Sequence, residues 1–248
     1  MEQIIAAHIE DFETWKTFSL LSAEIPFYKE DISDEELNLL LFNKIFYKES
    51  KGDITLINKI ELEDTISLTY DSWHRMEIIP YRKGLKNGKK IVFGKSGIVS
   101  ESFYENGLLN GYSFTYYSDG RIKEKEMFVN GLQEGDTYHF YRSGEVKAKI
   151  SYKNDSRNGL YINYSKNGNI ITKGNYINDW LEGPFYTYYE TGEVHKIENF
   201  LNDRRYGEFV EYYKNGNVKS KGKYRKGLLI GPYIEYNEDG SVKLEAVY

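Results

Sequence analysis

The stretch Gly207-Glu208-Phe209-Val210-Glu211-Tyr212-Tyr213-Lys214-Asn215-Gly216-Asn217-Val218-Lys219 decides the fold. Val210 and Tyr212 stand two residues apart on either side of Glu211, an Asn-Gly pair interrupts, and a β-branched residue, Val218, resumes the pattern. A two-residue period on either side of a turn signal specifies two strands and a hairpin, a period no helix has. The same pattern returns in both directions along the chain. Gly88, Gly111, Gly135, Gly159, Gly183, Gly207 and Gly231 recur at steps of 23 and then 24 residues, and a second glycine follows each of them nine residues later, from Gly97 to Gly240. Seven units result.

Counting the first glycine of each unit as position 0, position 3 is always apolar, from Ile91 and Phe114 to Ile234. Position 5 is always aromatic (Phe93, Tyr116, Phe140, Tyr164, Tyr188, Tyr212, Tyr236), and position 11 always β-branched (Val99, Ile122, Val146, Ile170, Val194, Val218, Val242). Position 17 is aromatic in the six full units, from Phe128 to Tyr248, with Tyr104 taking that place in the shorter first unit. A two-residue loop would put positions 5 and 11 on opposite faces. A three-residue loop, a type I turn closed by a glycine bulge, pairs them and is expected to bring every strict apolar position to one buried face. Short loops opened by pairs such as Asn106-Gly107, Asn130-Gly131 and Asn178-Asp179 join successive hairpins into one antiparallel meander.

The reading is therefore mainly β: an elongated antiparallel β-hairpin repeat array over residues 71–248, with seven clear units from about Gly84, behind a small mixed α+β cap over residues 1–70. Within the cap, Ser33-Asp34-Glu35-Glu36 ahead of Leu37, Leu40, Leu41 and Ile45 reads as a capped helix. Ile5, Ile9, Phe12 and Trp15 fit another helix. Alternation between Gly52 and Tyr70 suggests two strands, and Trp73 to Tyr81 the second strand of a degenerate unit.

Composition agrees with this. There are 24 Tyr and 22 Gly against 4 Pro, a bias toward pleated surfaces and turns. Absence of Cys excludes disulfides, thiolate zinc sites and a thiol nucleophile. The amino-terminal residues lack the basic and apolar regions of a secretory signal, so a cytoplasmic location is the expectation. Residues 1–83 carry a net charge of −8 and the remainder +3, too little basic charge for a nucleic-acid groove. His8, His74, His139 and His195 share no ligand spacing, and no nucleophile–base set appears. The expectation is a protein without enzymatic activity, cofactor or metal.

The unit G-x-x-apolar-x-aromatic-Y-x-N-G-x-V-K, clearest in Gly207 to Lys219, resembles the bacterial MORN-repeat variant family over roughly two thirds of the chain. The resemblance implies a β-hairpin array that binds another protein, and a subgroup of the family is described as antitoxins or immunity proteins of toxin systems. MORN arrays more broadly imply scaffolding, dimerisation and contact with phospholipid.

Candidate partner-binding residues lie on the even positions: Tyr117, Tyr141, Tyr189 and Tyr213 at position 6, and Tyr161, Phe185, Phe209 and Tyr233 at position 2. Lys123, Lys147 and Lys219 at position 12 stand beside them, with Lys125, Lys149, Lys173 and Lys221 two residues further on, and Trp180 is the best exposed anchor in a loop. A row of Tyr beside a row of Lys suits an acidic or aromatic-rich protein partner such as a toxin. Two other readings stay open: ordinary cross-strand ladders, or a second core at position 2 in the C-terminal units. Self-association through terminal strands, or a membrane-surface adaptor, is the alternative function.

Overall fold

The computed structural model describes residues 45–50, 53–58, 64–70 and 76–248, and every regular element among them is a β-strand. The helix over Ile5 to Trp15, most of the helix after Ser33, and Ile60, Leu62 and Trp73 lie outside the described residues. Ile45 does not end a helix: it opens strand Ile45–Ser50. That strand pairs with Asp53–Asn58, which pairs with Asp64–Tyr70, which pairs with Met76–Arg82. The described sheet thus extends into the stretch read as a cap. From Met76–Arg82 the pairing continues strand by strand to Val242–Val247, always antiparallel and always between neighbours in the chain.

In six units the hairpin loop is the expected one. Gly120 N–H donates to Tyr117 O at 2.9 Å and Tyr117 N–H to Arg121 O at 2.8 Å, with Gly120 at φ +82. The same pair of bonds closes the loops at Gly144, Gly168, Gly192, Gly216 and Gly240. Position 5 pairs with position 11 throughout, as Tyr116↔Ile122, Tyr164↔Ile170 and Tyr212↔Val218. The first unit differs: Lys95-Ser96 forms a two-residue loop between Gly94 and Gly97, and Phe93 pairs with Ile98 rather than Val99.

One expectation is corrected. A further bulge follows position 11: Tyr212 pairs with Val218, but Glu211 pairs with Ser220, so Lys219 is an extra residue in its strand. The same shift occurs in the other full units. One inserted residue reverses the side-chain parity of everything after it. Positions 3, 5, 11 and 14 therefore share one face, while position 17 joins positions 2, 4, 12, 13 and 15 on the other.

The two faces are unlike. From Gly111 onward the fully buried residues Thr137, Ala148, Glu198, Phe209 and Ser220 lie on the second face, at positions 2, 13 and 15. Ile162, at position 3, is the only counterpart on the first among the described residues. The second is the closed face, and the face of positions 3 and 5 is open.

Between units the chain reverses in two-residue turns whose central residues both have positive φ: Asn130 (50) and Gly131 (86), Asn178 (48) and Asp179 (69), Lys226 (54) and Gly227 (85). This geometry matches the strand twist and favours Asn, Asp and Gly. The turns stack on one another along the sheet edge, since Gly131 N–H donates to Leu109 O at 2.7 Å and Gly227 N–H to Arg205 O at 2.9 Å. Where the second residue is Asp, its carboxylate adds a second tie: Asp155 Oδ1 accepts from Gln133 N–H, Asp179 Oδ1 from Arg157 N–H, and Asp203 Oδ1 from Leu181 N–H, at 2.6, 2.9 and 2.5 Å.

Candidate docking surface

The position 6 tyrosines connect one unit to the next. Tyr117 Oη donates to Phe140 O, Tyr141 Oη to Tyr164 O, Tyr189 Oη to Tyr212 O and Tyr213 Oη to Tyr236 O, at 2.7 to 2.8 Å. Each phenol spans 23 residues to the position 5 carbonyl of the following hairpin. Ser165 holds the equivalent place in the fourth unit and is too short for this. Arg142, Lys147 and Lys214 lie over the rings of Tyr117, Tyr141 and Tyr189 at 5.7 to 6.0 Å.

The position 2 aromatics meet position 17 across the hairpin, which the added bulge makes possible. Tyr161 packs edge-on against Tyr176 at 5.6 Å, Phe185 against Phe200 at 5.8 Å and Tyr233 against Tyr248 at 6.1 Å, while Phe209 lies 4.9 Å from Tyr224. Phe185 and Phe209 also cover Gly174 and Gly222, where an added Cβ would come within 2.6 and 2.9 Å of the rings. These residues form the second core in the C-terminal units. Burial raises the Tyr176 phenol pKa, with Arg157 stacked 4.1 Å above its ring in partial opposition.

Charges on the closed face are paired among themselves. Glu124 meets His139 at 3.0 Å, Glu198 meets Lys196 and Arg205 at 2.9 and 2.8 Å, and Glu235 meets Lys243 at 2.6 Å. Glu211 takes both Lys219 at 2.6 Å and His195 at 3.3 Å. Burial pushes the Glu211 carboxyl upward, but the bonds from Lys219 and His195 outweigh it and hold the group below its ordinary value. Glu126 goes the other way, raised by burial and by its neighbour Glu124. Lys123 is exposed and Lys147 reaches only a ring. Among the described residues no group of three His, Asp or Glu could hold a metal ion.

The open face is where apolar surface meets water. Aromatic pairs at positions 3 and 5 stack side by side: Phe114–Tyr116, Tyr138–Phe140 and Tyr186–Tyr188, with centroids 6.3 to 6.5 Å apart and planes within 29°. All six are half-buried. Toward the turn edge, exposed Val129, Leu132, Ile177 and Leu201 extend this surface, and Trp180 is 52% exposed beside Ile177. Leu181, the neighbour of Trp180, turns to the closed face against Gly174, which sends the indole to the open one. Trp180 is thus the sequence candidate with the most accessible ring. Lys125, Lys149, Lys173 and Lys221 at position 14 belong to the open face, pairing with Tyr138, Ile162, Tyr186 and Ile234. Sequence reasoning placed these lysines on the other face, because it counted through the second strand without the extra residue. The half-exposed rings at positions 3 and 5 were read as core for the same reason.

The architecture defines a class: a meander of 24-residue hairpin units in which each unit binds its chain neighbours and leaves one face open. Residues 133–154, 157–178, 181–202 and 205–226, four consecutive units, match the family described as MORN repeat variant. No curated protein matches the chain. Two solved structures are similar over part of their length. The pneumococcal O-GlcNAc transferase GtfA, in complex with UDP and GlcNAc, is 6% identical over 55% of this chain and 23% of that one, with a TM-score of 0.18. A mutant of S. aureus TarM, in complex with fondaparinux, α-GlcNAc-glycerol and UDP, is 15% identical over 76% of this chain and 27% of that one, with a TM-score of 0.21. The chain spans about a quarter of the length of either, and scores this low carry no weight for fold or activity.

Proposed function

We propose that this protein is a non-catalytic protein-binding module that docks its partner on the open face. The carrying observation is the contrast between faces: closed-face aromatics and charges satisfy one another, while half-exposed rings, exposed aliphatics and Trp180 line the open face. Contiguous exposed apolar surface of this kind marks a contact site. In its specific form the reading is an antitoxin or immunity protein holding a toxin domain, which rests on the resemblance of the repeat. A photo-crosslinking residue at Trp180 in the full chain should capture one dominant protein in the source cell, and one at Lys123, on the closed face, should not. Equal capture from both positions, or none from either, together with normal growth of a deletion strain under toxin expression, would sink the proposal.

Self-association is the second reading, favoured by strand Val242–Val247, where Val247 is 83% and Leu244 45% exposed. Unpaired edges of apolar strands invite strand addition. Sedimentation equilibrium showing a monomer at high concentration removes it, and co-sedimentation with anionic vesicles tests the membrane-adaptor variant.

A further inference from the structure

We infer that the open face takes an extended acidic segment in polyproline II conformation, with a carboxylate at every third residue. The inference rests on the docking reading above and names the chemistry of its partner.

Charge complementarity supplies the first argument. Of the four position 14 lysines, only Lys149 has a carboxylate, Asp136 at 2.7 Å. Lys125 and Lys221 rest over the rings of Tyr112 and Tyr236 at 4.1 and 5.4 Å, and the exposed Lys173 ammonium has no partner among the described residues. Lys223, a further open-face cation, stands directly opposite Glu208. Of the other open-face carboxylates, Glu101 is taken by Lys89 at 2.9 Å and by Tyr116 Oη at 3.0 Å, and Glu245 stands beyond Ile234, two strands from Lys221, so carboxylates in reach of Lys125, Lys173 and Lys221 are left to a partner. The stacked rings beside them offer that partner flat apolar contacts.

Spacing supplies the second. Each unit adds two strands, about 9.6 Å at ~4.8 Å per strand. Polyproline II repeats every three residues, about 9.3 Å, and so presents one side chain per unit in a constant direction. A β-strand with its two-residue period would turn every other such side chain away. An α-helix advances about 6.4 residues over the same span, out of step with its own 3.6-residue turn. Flexible lysine stems absorb the small remaining mismatch and the twist of the sheet. Since Ile197 holds position 14 in the fifth unit, the pattern has one apolar break: carboxylates face Lys125, Lys149 and Lys173, an apolar residue faces Ile197, and a carboxylate faces Lys221.

The test uses the full chain and a fluorescein-labelled peptide of three Glu-Pro-Tyr repeats, one Leu-Pro-Tyr and one Glu-Pro-Tyr, so that Leu falls opposite Ile197, read by fluorescence anisotropy. Saturable binding that weakens with added salt is expected. Replacing every Glu of the peptide by Gln, or combining Lys125→Glu, Lys173→Glu and Lys221→Glu in the protein, should weaken binding at least tenfold. The closed-face change Lys123→Glu should leave it unaltered. Lys173→Gln alone, at an exposed side chain with no charged partner among the described residues, should weaken binding about threefold at little cost to folding. Unchanged affinity in the triple and single variants overturns the inference, as does equally tight binding of a peptide with Glu at every second residue. If those peptides fail while Trp180 still crosslinks one protein, the partner chemistry is wrong and the docking reading stands; loss of the crosslink removes the reading itself.

Discussion

Single side chains tie neighbouring units together, and their removal should be felt across the repeat boundary. Tyr141→Phe keeps the ring under Lys147 and deletes only the bond to Tyr164 O. It should cost about 1 kcal/mol in urea unfolding, the usual net value of one hydrogen bond. Ser165→Tyr supplies the missing tie in the fourth unit but gives up the loop bond that Asn169 N–H donates to Ser165 Oγ at 3.2 Å, so it should stabilise by less than about 1 kcal/mol. The turn carboxylates give a pH signature. Asp179 is held below its ordinary pKa by the backbone and then the side-chain N–H groups of Arg157, and Asp119 by the side chain of Arg142. A carboxyl depressed in the folded state stabilises fully above its unfolded value and loses that contribution as pH falls through the folded value. The melting temperature should therefore decline below about pH 4. Glu126, raised by burial first and by Glu124 second, has the opposite sign: its protonation as pH falls through the raised folded value favours the fold. A melting temperature that rises as pH falls from neutral and loses that rise in Glu126→Gln, and an acid limb that shallows in Asp179→Asn, would check both signs.

At the scale of the hairpin, the glycine positions and the alternation before them made the loop legible. A type I turn with a glycine bulge was the only short loop that paired position 5 with position 11, and Tyr212↔Val218 shows that pairing. The bulge that follows was not legible. Position 12 is Lys in four full units but His195 in the fifth and Ile171 in the fourth, so no residue type marks the insertion. The interval from Val218 to Tyr224 is an even number of residues and reads as one face in any regular strand. The aromatics at position 2 were the available hint, since Phe209 needs a partner such as Tyr224 and regular parity would have denied it one. The packing they create is tight. Gly222→Ala puts a methyl 2.9 Å from the Phe209 ring and should cost about 1–3 kcal/mol, the range for overpacking. Adding Phe209→Leu should recover part of the loss, and equilibrium denaturation of the single and double variants measures the coupling.

For the molecule as a whole, what was legible was the repeat number; what was not was the face that stays available. Both faces carry aromatics, and only the hydrogen bonds of Tyr117 or the pairing of Phe185 with Phe200 distinguish a committed ring from an available one. Those contacts depend on register, which composition does not encode. Strand pairing restricted to chain neighbours also makes the array modular. Removing residues 159–182, one whole unit from Gly159 to the residue before Gly183, should leave a folded sheet with the same circular dichroism per residue. Removing half of that stretch would take out one strand and reverse the direction of all that follows, and should abolish cooperative melting.

The edge-stacked turns and neighbour-only pairing carry a mechanical consequence. Pulled from its two ends in an optical trap, such a sheet resists as a zipper, because its interstrand bonds break a pair at a time. Extension should proceed as a sawtooth of similar low-force steps, each releasing one 24-residue hairpin, or about 80 Å of chain at ~3.4 Å per residue. Of the boundaries that follow the second to the sixth unit, the one at Ser165 lacks a tyrosine tie and should give the lowest-force step.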